Sequence, residues 1–281
     1  MTRRIDRRRL ARLVLAGLIA LHLAAFGLYV LRERQSKLLS LYLDARDQWA
    51  DGHLDVAAAE YTIFVAERPS TAWPVVLFRN FPDAASGWFA LGRVEAARGH
   101  ADTALAAWRK SMALGGGRGR REYRDLLLRS RRGAALVEFA REQARVDSRS
   151  PVAAKDLGAG LLAIGQPAAA AAAYQRALTL LPAWRRRVDP GAPPGLSAEE
   201  ADLRNLLSVA LRLAGQPALA DEACARIGAQ QNSALRLDRL CSAYRAAAAG
   251  DAAGISRALA GYAPPAPEHE ALALALQPPA D

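Results

Sequence analysis

The sequence predicts an all-α protein, and three properties of its composition lead to that prediction. Hydrophobic residues make up 52% of the 281 residues, yet only 6% are aromatic, because alanine supplies much of the apolar content. The basic residues are almost all arginine, with only three lysines in the chain. Alanine, leucine and arginine are strong helix formers. β-Branched residues are sparse, and no run of six residues alternates apolar and polar side chains, which argues against a sheet protein.

Most of the net charge of +10 belongs to the N-terminus. Residues 1–37 hold nine basic side chains against Asp6 and Glu33, so the rest of the chain carries only about +3. A protein surface that binds nucleic acid through the phosphate backbone needs many more basic side chains than this. No nucleic-acid-binding surface is therefore predicted. The length and the apolar content allow the core of one large domain or two small ones.

An uncharged run of 19 residues from Leu13 to Leu31 spans about 28 Å as a helix. A globular core rarely needs a stretch this long that is apolar on every face, so we predict a transmembrane helix at 13–31 after a basic cytoplasmic tail at 1–12. Six basic residues precede the span and three follow it, which predicts a bacterial inner-membrane protein with its C-terminal part in the periplasm. A cleavable signal peptide is the alternative, but Leu23-Ala24-Ala25 is a poor cleavage site.

A frame of glycine, alanine, an aromatic residue and proline recurs after this span. Its copies are Gly52, Ala57, Tyr61 and Pro69; Gly99, Ala104 and Trp108, with Gly116 in the proline position; Gly165, Ala170, Tyr174 and Pro182; and Gly215 and Ala220, followed by Cys224. A helix-length stretch before the glycine adds Trp88, Leu91 and Gly92 in the second copy, and Leu157 and Gly158 in the third. Four matches to one spacing argue against an ordinary helical bundle in which alanines recur by chance.

This frame resembles the tetratricopeptide repeat (TPR). In that family a 34-residue unit forms two antiparallel helices, with a small residue where the helices cross closely, an aromatic residue between them and a proline that closes the second helix. The resemblance implies an α-solenoid of about six helical hairpins over residues 32–262, followed by a Pro-rich tail at 263–281 with a short capping helix. It implies protein partners rather than a reaction, because such repeats serve many functions.

The glycines in the predicted turns divide the repeat region into units. They are Gly52, Gly99, Gly133, Gly165, Gly215 and Gly250. The two long intervals contain proline-bearing stretches at 70–84 and 183–200, which we predict to be inserted loops or short extra helices. The units at Gly133 and Gly250 are degenerate in this register, and Glu138 and Glu142 take the small and aromatic positions of the first one.

The sequence contains no motif for catalysis, a cofactor or a metal ion. His53 and His100 each follow a turn glycine and have no other ligand-type residue at metal-binding spacing. The glycine-rich run 115–119 lies between two predicted helices, which indicates a linker rather than a phosphate-binding loop. We therefore predict a protein that is not an enzyme and has no cofactor, metal or small-molecule substrate.

Two cysteines, Cys224 and Cys241, lie at similar distances on either side of a predicted turn, on antiparallel helices. Residues so placed can come within bridging distance, and an oxidising periplasm would favour a disulfide between them. The alternative is a pair of small core residues, because Cys224 occupies the aromatic position of its repeat.

Two surface features are candidates for partner binding. The first is an arginine-rich segment at 118–132, which an acidic partner or anionic lipid could contact; its arginines are Arg118, Arg120, Arg121, Arg124, Arg129, Arg131 and Arg132. Solvated helix faces are the simpler explanation of such a segment. The second is the apolar first insertion, with Trp73, Phe78 and Phe81. It either packs between repeats or contacts another protein or the membrane surface.

These patterns together predict a non-enzymatic membrane-anchored scaffold or assembly factor. In this interpretation the stacked first helices line a groove that holds an extended peptide or a helix of a periplasmic or membrane partner. One alternative is a permanent structural or accessory subunit of a larger membrane complex. Another is a cytoplasmic adaptor with inverted topology, in which both cysteines would be reduced.

Overall fold

The computed structural model describes residues 7–68, 81–115, 117–189 and 198–225, and a few positions between 246 and 260. Within these ranges the elements are ten α-helices, and no strand occurs. Their bounds are α1 Arg7–Ala50, α2 Leu54–Glu67, α3 Ala84–Ala97, α4 Ala101–Leu114, α5 Arg120–Arg129, α6 Gly133–Val146, α7 Pro151–Ala163, α8 Pro167–Val188, α9 Ala198–Leu213 and α10 Pro217–Ala225. The predicted all-α class is confirmed.

The chain forms two compact units, Met1–Arg120 and Arg121–Asp281. In the first unit α1 pairs with α2, and α3 with α4. In the second unit α7 pairs with α8, and α9 with α10. The rings of Tyr123 on α5 and Phe139 on α6 lie 4.7 Å apart, so these two helices also pack together. The described helices therefore pair in chain order as helical hairpins, the arrangement that the repeat frame predicts.

The first helix contains both the predicted span and the first helix of the first hairpin. From Leu15 to Val30 every side chain of α1 is exposed, and this part is long and apolar enough to cross a membrane. Further along the same helix, Leu38 and Ala45 are buried in a core with Tyr61 and Phe64 of α2. Because α1 is continuous, the apolar segment is joined to the folded unit without a linker.

The hairpin turns share one hydrogen-bond pattern. At the first turn the Gly52 N–H donates to the Trp49 carbonyl oxygen (3.1 Å), and the His53 N–H donates to that of Gln48 (2.8 Å). This pair of bonds defines a Schellman motif, whose central residue adopts a left-handed conformation. The motif recurs with Gly99, Arg131, Gly165 and Gly215 as central residues, at φ angles of 82°, 55°, 74° and 76°.

The third turn lies at Arg131, so the prediction that Gly133 marks it is wrong. Gly133 begins α6, where a Cβ atom would lie 2.9 Å from the Cβ atom of Ala163 on α7. Glycine is needed there because two helices approach closely, not because the chain turns. When the frame is counted from Arg131 as the turn residue, Leu136 and Ala140 take its small and aromatic positions in place of Glu138 and Glu142. Both side chains are 0% exposed.

The small and aromatic positions of the frame meet inside the hairpins. A Cβ atom on Gly158 of α7 would lie 2.5 Å from the ring of Tyr174 on α8, and one on Gly92 of α3 would overlap the Trp108 indole of α4. In both hairpins the aromatic residue follows the glycine by 16 positions. The structure thus has the close helix crossing on which the resemblance to tetratricopeptide repeats is based.

The ends of the second helices differ from the predicted frame. Helix α8 continues through Pro182 to Val188, so the expectation that this proline closes the helix is wrong. Proline removes one helical hydrogen bond without ending a helix that other contacts hold in place. Residues 183–188 therefore belong to α8, while 190–197 lie outside the described residues. Pro69, Trp73, Phe78, Gly116 and Cys241 also lie outside them, as does the side chain of Cys224, so the proposed disulfide stays a prediction.

Candidate partner-binding groove

A groove of about 570 Å³ lies in the second unit among α8, α9 and α10. Its size is in the range of protein pockets that enclose a ligand. Eight of its thirteen lining residues are alanine or leucine, and the other five are polar. The lining residues are Ala168, Ala171, Ala172, Gln175, Leu178 and Thr179 of α8; Arg204, Leu207 and Leu211 of α9; and Gln216, Leu219, Glu222 and Ala223 in and before α10.

Short side chains on α8 open this groove. Ala168 and Ala172 are exposed on the helix, where a longer side chain would fill the space. Leu207 of α9 is 5% exposed and forms part of the base, whereas Leu219 of α10 is 51% exposed and lies at the rim. An exposed leucine beside a groove with an aliphatic base offers apolar area that another molecule can bury.

The polar side chains of the groove are two glutamine amides, the Thr179 hydroxyl, one arginine and one glutamate. Arg204 donates from Nε and from a terminal nitrogen to one Glu200 carboxylate oxygen, at 3.1 and 2.7 Å. Glu222 on α10 supplies a negative charge to the same lining. Gln175 and Gln216 each present an amide that can donate and accept hydrogen bonds. A groove that combines aliphatic and polar side chains can bind apolar side chains and the peptide groups between them.

Polar contacts hold the helices of the groove in place. The Ser208 hydroxyl on α9 donates to the Ala220 carbonyl oxygen on α10 at 2.5 Å, and both residues are fully buried. Arg212 and Asp221 form an ion pair at 2.7 Å between the same two helices. Lys155 on α7 contacts Asp202 on α9 at 2.5 Å. Such buried and half-buried bonds hold the helices that line the groove in fixed positions, and a preformed site lowers the entropic cost of binding a ligand.

The structure separates the arginines that the sequence groups at 118–132. Arg118 belongs to the first unit, where it pairs with Asp83 at 3.4 Å. The Arg124 side chain is 7% exposed and contacts Asp125 at 2.9 Å and Asp156 at 3.5 Å, so no partner can reach it. Arg120 is half-buried. Of the arginines at 118–132 that belong to the second unit, the exposed ones are Arg121 near the start of α5 and Arg129, Arg131 and Arg132 around the turn between α5 and α6.

The two turn histidines contact the helices that precede them. His53 Nδ1 lies 2.8 Å from the Gln48 side-chain oxygen, and His100 Nδ1 lies 2.8 Å from a Glu95 carboxylate oxygen. Arg98 links Glu95 to Asp55, at 2.8 and 2.7 Å. Burial lowers the pKa of Arg98, but the two carboxylates outweigh it and raise that pKa overall. Among the described residues no three His, Cys, Asp or Glu side chains are grouped to hold a metal ion.

Comparisons with known proteins find structural similarity and assign no family. No family model and no curated protein matches the sequence. A solved structure described as "Functional Characterization of Pseudomonas Aeruginosa pilF" is 16% identical, with a TM-score of 0.42, and the match covers 84% of this chain and 96% of that one. A match at this identity and TM-score assigns neither a family nor a function.

Proposed function

We propose that the protein is a non-enzymatic, membrane-anchored scaffold that binds a protein partner in the groove among α8, α9 and α10. The groove is the observation that carries this proposal, because it offers exposed aliphatic area within a fold made of helical hairpins. The ligand that fits is an extended peptide or a helix with small apolar side chains. The groove differs in position from the one that the repeat resemblance implies, since two of its three helices are second helices of hairpins.

The lining predicts how the partner is held. Apolar side chains of the partner cover Leu207, Leu211 and Leu219, and the amides of Gln175 and Gln216 bond to its peptide groups. Arg204 and Glu222 have opposite charges, so the lining attracts neither an acidic nor a basic partner as a whole. Binding should therefore depend on apolar contact and change little with salt, in contrast to binding through an arginine patch.

The anchor in this proposal is the N-terminal part of α1. Its exposed apolar side chains favour insertion in the bilayer, and the excess of arginine before the span favours a cytoplasmic N-terminus and a periplasmic C-terminal part. In that compartment we expect Cys224 and Cys241 to form a disulfide. Alkylation in intact cells before and after reduction, followed by peptide mapping, checks this placement. Two cysteines that react without reduction would contradict the disulfide and favour the cytoplasmic topology.

The proposed binding site is tested by purifying the tagged full-length protein from its native membrane in mild detergent. We expect Leu219→Glu to lower the recovery of the bound partner at least about tenfold, because the carboxylate must be desolvated against an aliphatic surface. Val188→Glu is the matched control, because Val188 is also exposed, at 60%, and lies on α8 away from the groove lining.

Equal recovery with the two variants would contradict the groove as the binding site. The same purification distinguishes the main alternative. If membrane subunits elute in a fixed ratio with the wild-type protein and with both variants, the protein is a permanent subunit held through other surfaces. If the partner is lost only with Leu219→Glu, the scaffold function through the groove is supported.

A further inference from the structure

The folded part of the first unit begins where the exposed apolar part of α1 ends. Leu31, the last residue of the predicted span, packs against the core of the α1–α2 hairpin, and Gln35 one turn later is 0% exposed. These two residues are about 6 Å apart along the helix. The headgroup layer of a bilayer is about 5–7 Å thick on each side. If residues 13–31 span the hydrocarbon core, the base of this hairpin lies within the headgroup layer.

Contacts place the end of α2 and the segment before α3 at the same level. A terminal nitrogen of Arg34 on α1 donates to the carbonyl oxygen of Glu67, the last residue of α2, at 3.4 Å. The next residue, Arg68, donates from Nε to the Pro82 carbonyl oxygen at 3.2 Å, and its guanidinium lies 4.7 Å from the centre of the Phe81 ring. The segment that leads into α3 therefore lies at the same level along α1 as Arg34.

The beginning of α3 and the end of α4 complete this end of the unit. Asp83 is the N-cap of α3 and accepts a hydrogen bond from the Ser86 N–H at 2.7 Å. Ser111 on α4 donates its hydroxyl to the Ala85 carbonyl oxygen at 2.8 Å, so the last turn of α4 lies beside the first turn of α3. Arg118, four residues beyond α4, contacts both Asp83 and Ser86, and its side chain is 54% exposed.

We propose that this end of the first unit binds the headgroups of anionic phospholipids, through a lipid-facing surface formed by Arg32, Arg34, Lys37 and Arg118. The proposal rests on the membrane anchor of the proposed function. Guanidinium groups pair well with phosphate, and basic residues next to a span are attracted to an anionic leaflet. Among the described residues three acids lie at this end: Asp83 binds Ser86 and Arg118, Glu33 pairs with Lys37 at 3.0 Å, and Glu67 is exposed, so the basic residues outnumber the acids.

The far end of the unit carries two acidic side chains beside one arginine, and it serves as the reference position in the test below. It holds the turns at Gly52 and Gly99, where Asp55 and Glu95 lie beside Arg98. Helix α2, with 14 residues, separates the two ends by about 20 Å. A unit that binds headgroups through the lipid-facing surface therefore holds its far end well outside the bilayer.

The test uses the full-length protein reconstituted in vesicles, with both native cysteines replaced by serine. A fluorescent probe is attached to a single cysteine at Ala113, in the last turn of α4, or at Thr103, in its first turn. Both positions are exposed and lie on one helix, about 15 Å apart. Lipids with a nitroxide on the headgroup quench a nearby probe. We expect quenching at Ala113→Cys and none above background at Thr103→Cys in vesicles that contain anionic lipid.

Charge reversal separates lipid binding from mere proximity to the span. We expect the double variant Arg34→Glu, Arg118→Glu to lose the quenching at position 113, as should vesicles of zwitterionic lipid alone. Arg46→Glu is the matched control, because Arg46 is exposed on α1 but lies about 18 Å from Arg34. Helicity measured by circular dichroism checks that each variant is folded.

The outcomes distinguish this inference from the proposed anchor. Quenching that is equal at both probe positions, or unchanged by charge reversal and by lipid charge, overturns the lipid-facing surface while the anchor stands. A protein that does not float with the vesicles, or is extracted from them by alkaline carbonate, overturns the anchor and this inference together.

Discussion

Replacing Gly158 by leucine should cost the second unit about 3 kcal/mol or more of its free energy of unfolding. A Cβ atom at this position would lie 2.5 Å from the ring of Tyr174, which is itself fully buried. Close-packed interiors do not yield enough to admit a leucine side chain between two helices. Urea denaturation of the purified protein, followed by circular dichroism, measures the loss.

Two variants make this prediction specific. Gly27→Leu is the matched control, because a Cβ atom on that helical glycine of α1 would have no atom within 4 Å. Adding Tyr174→Ala to Gly158→Leu should restore part of the stability. The third hairpin already combines a large and a small residue in this way, with Arg124 and Ala140 at the same 16-residue separation. Wild-type stability of Gly158→Leu would show that α7 and α8 do not approach as closely as described.

Arg124→Ala should destabilise the second unit by about 3–5 kcal/mol, the usual effect of removing one partner from a buried ion pair. The Arg124 guanidinium lies 2.9 Å from Asp125 and 3.5 Å from Asp156, and the Asp156 side chain is 1% exposed. Without the guanidinium, two carboxylates remain close together away from water. The same urea denaturation measures the change.

Arg121 provides the control for this second prediction. Its side chain is 55% exposed and lies 3.9 Å from Asp125, so Arg121→Ala should change the stability by less than about 0.5 kcal/mol. The double variant Arg124→Met, Asp156→Leu should recover part of the loss, because it removes the more deeply buried of the two carboxylates and leaves Asp125 with Arg121 at 3.9 Å. Equal effects of the two single arginine variants would mean that Arg124 is not enclosed by the helices.

The sequence predicts the hairpins well because their turns and crossings need particular residue types. A left-handed turn favours glycine, as at Gly52 and Gly165, and a crossing beneath an aromatic ring excludes a β-carbon, as at Gly158. The third hairpin is misassigned because glycine serves both purposes. Gly133 marks a close approach of two helices, while the turn before it uses Arg131, a residue type that the sequence pattern does not associate with a turn.

The groove and the buried ion pair are not predictable from the sequence pattern. The charge pattern of the sequence groups Arg124 with its exposed neighbours. It cannot single out Arg124 as buried, because the packing of α5 decides which face of that helix is buried. The groove depends on the relative placement of three helices, and the repeat resemblance points instead to the first helices of the hairpins. One local feature of the sequence indicates the groove. The six alanines from Ala168 to Ala173 leave the exposed face of α8 without long side chains.

The most direct test of the scaffold function is photocrosslinking from the groove in intact native membranes. A photoreactive amino acid at Leu219 should yield one dominant protein adduct, and the same amino acid at Val188 should not yield that adduct. Adding Leu211→Glu, a second change in the groove lining, should abolish it. Identical adducts from both positions, or no adduct from Leu219 under conditions in which the protein is intact, would contradict the groove as the site of partner binding.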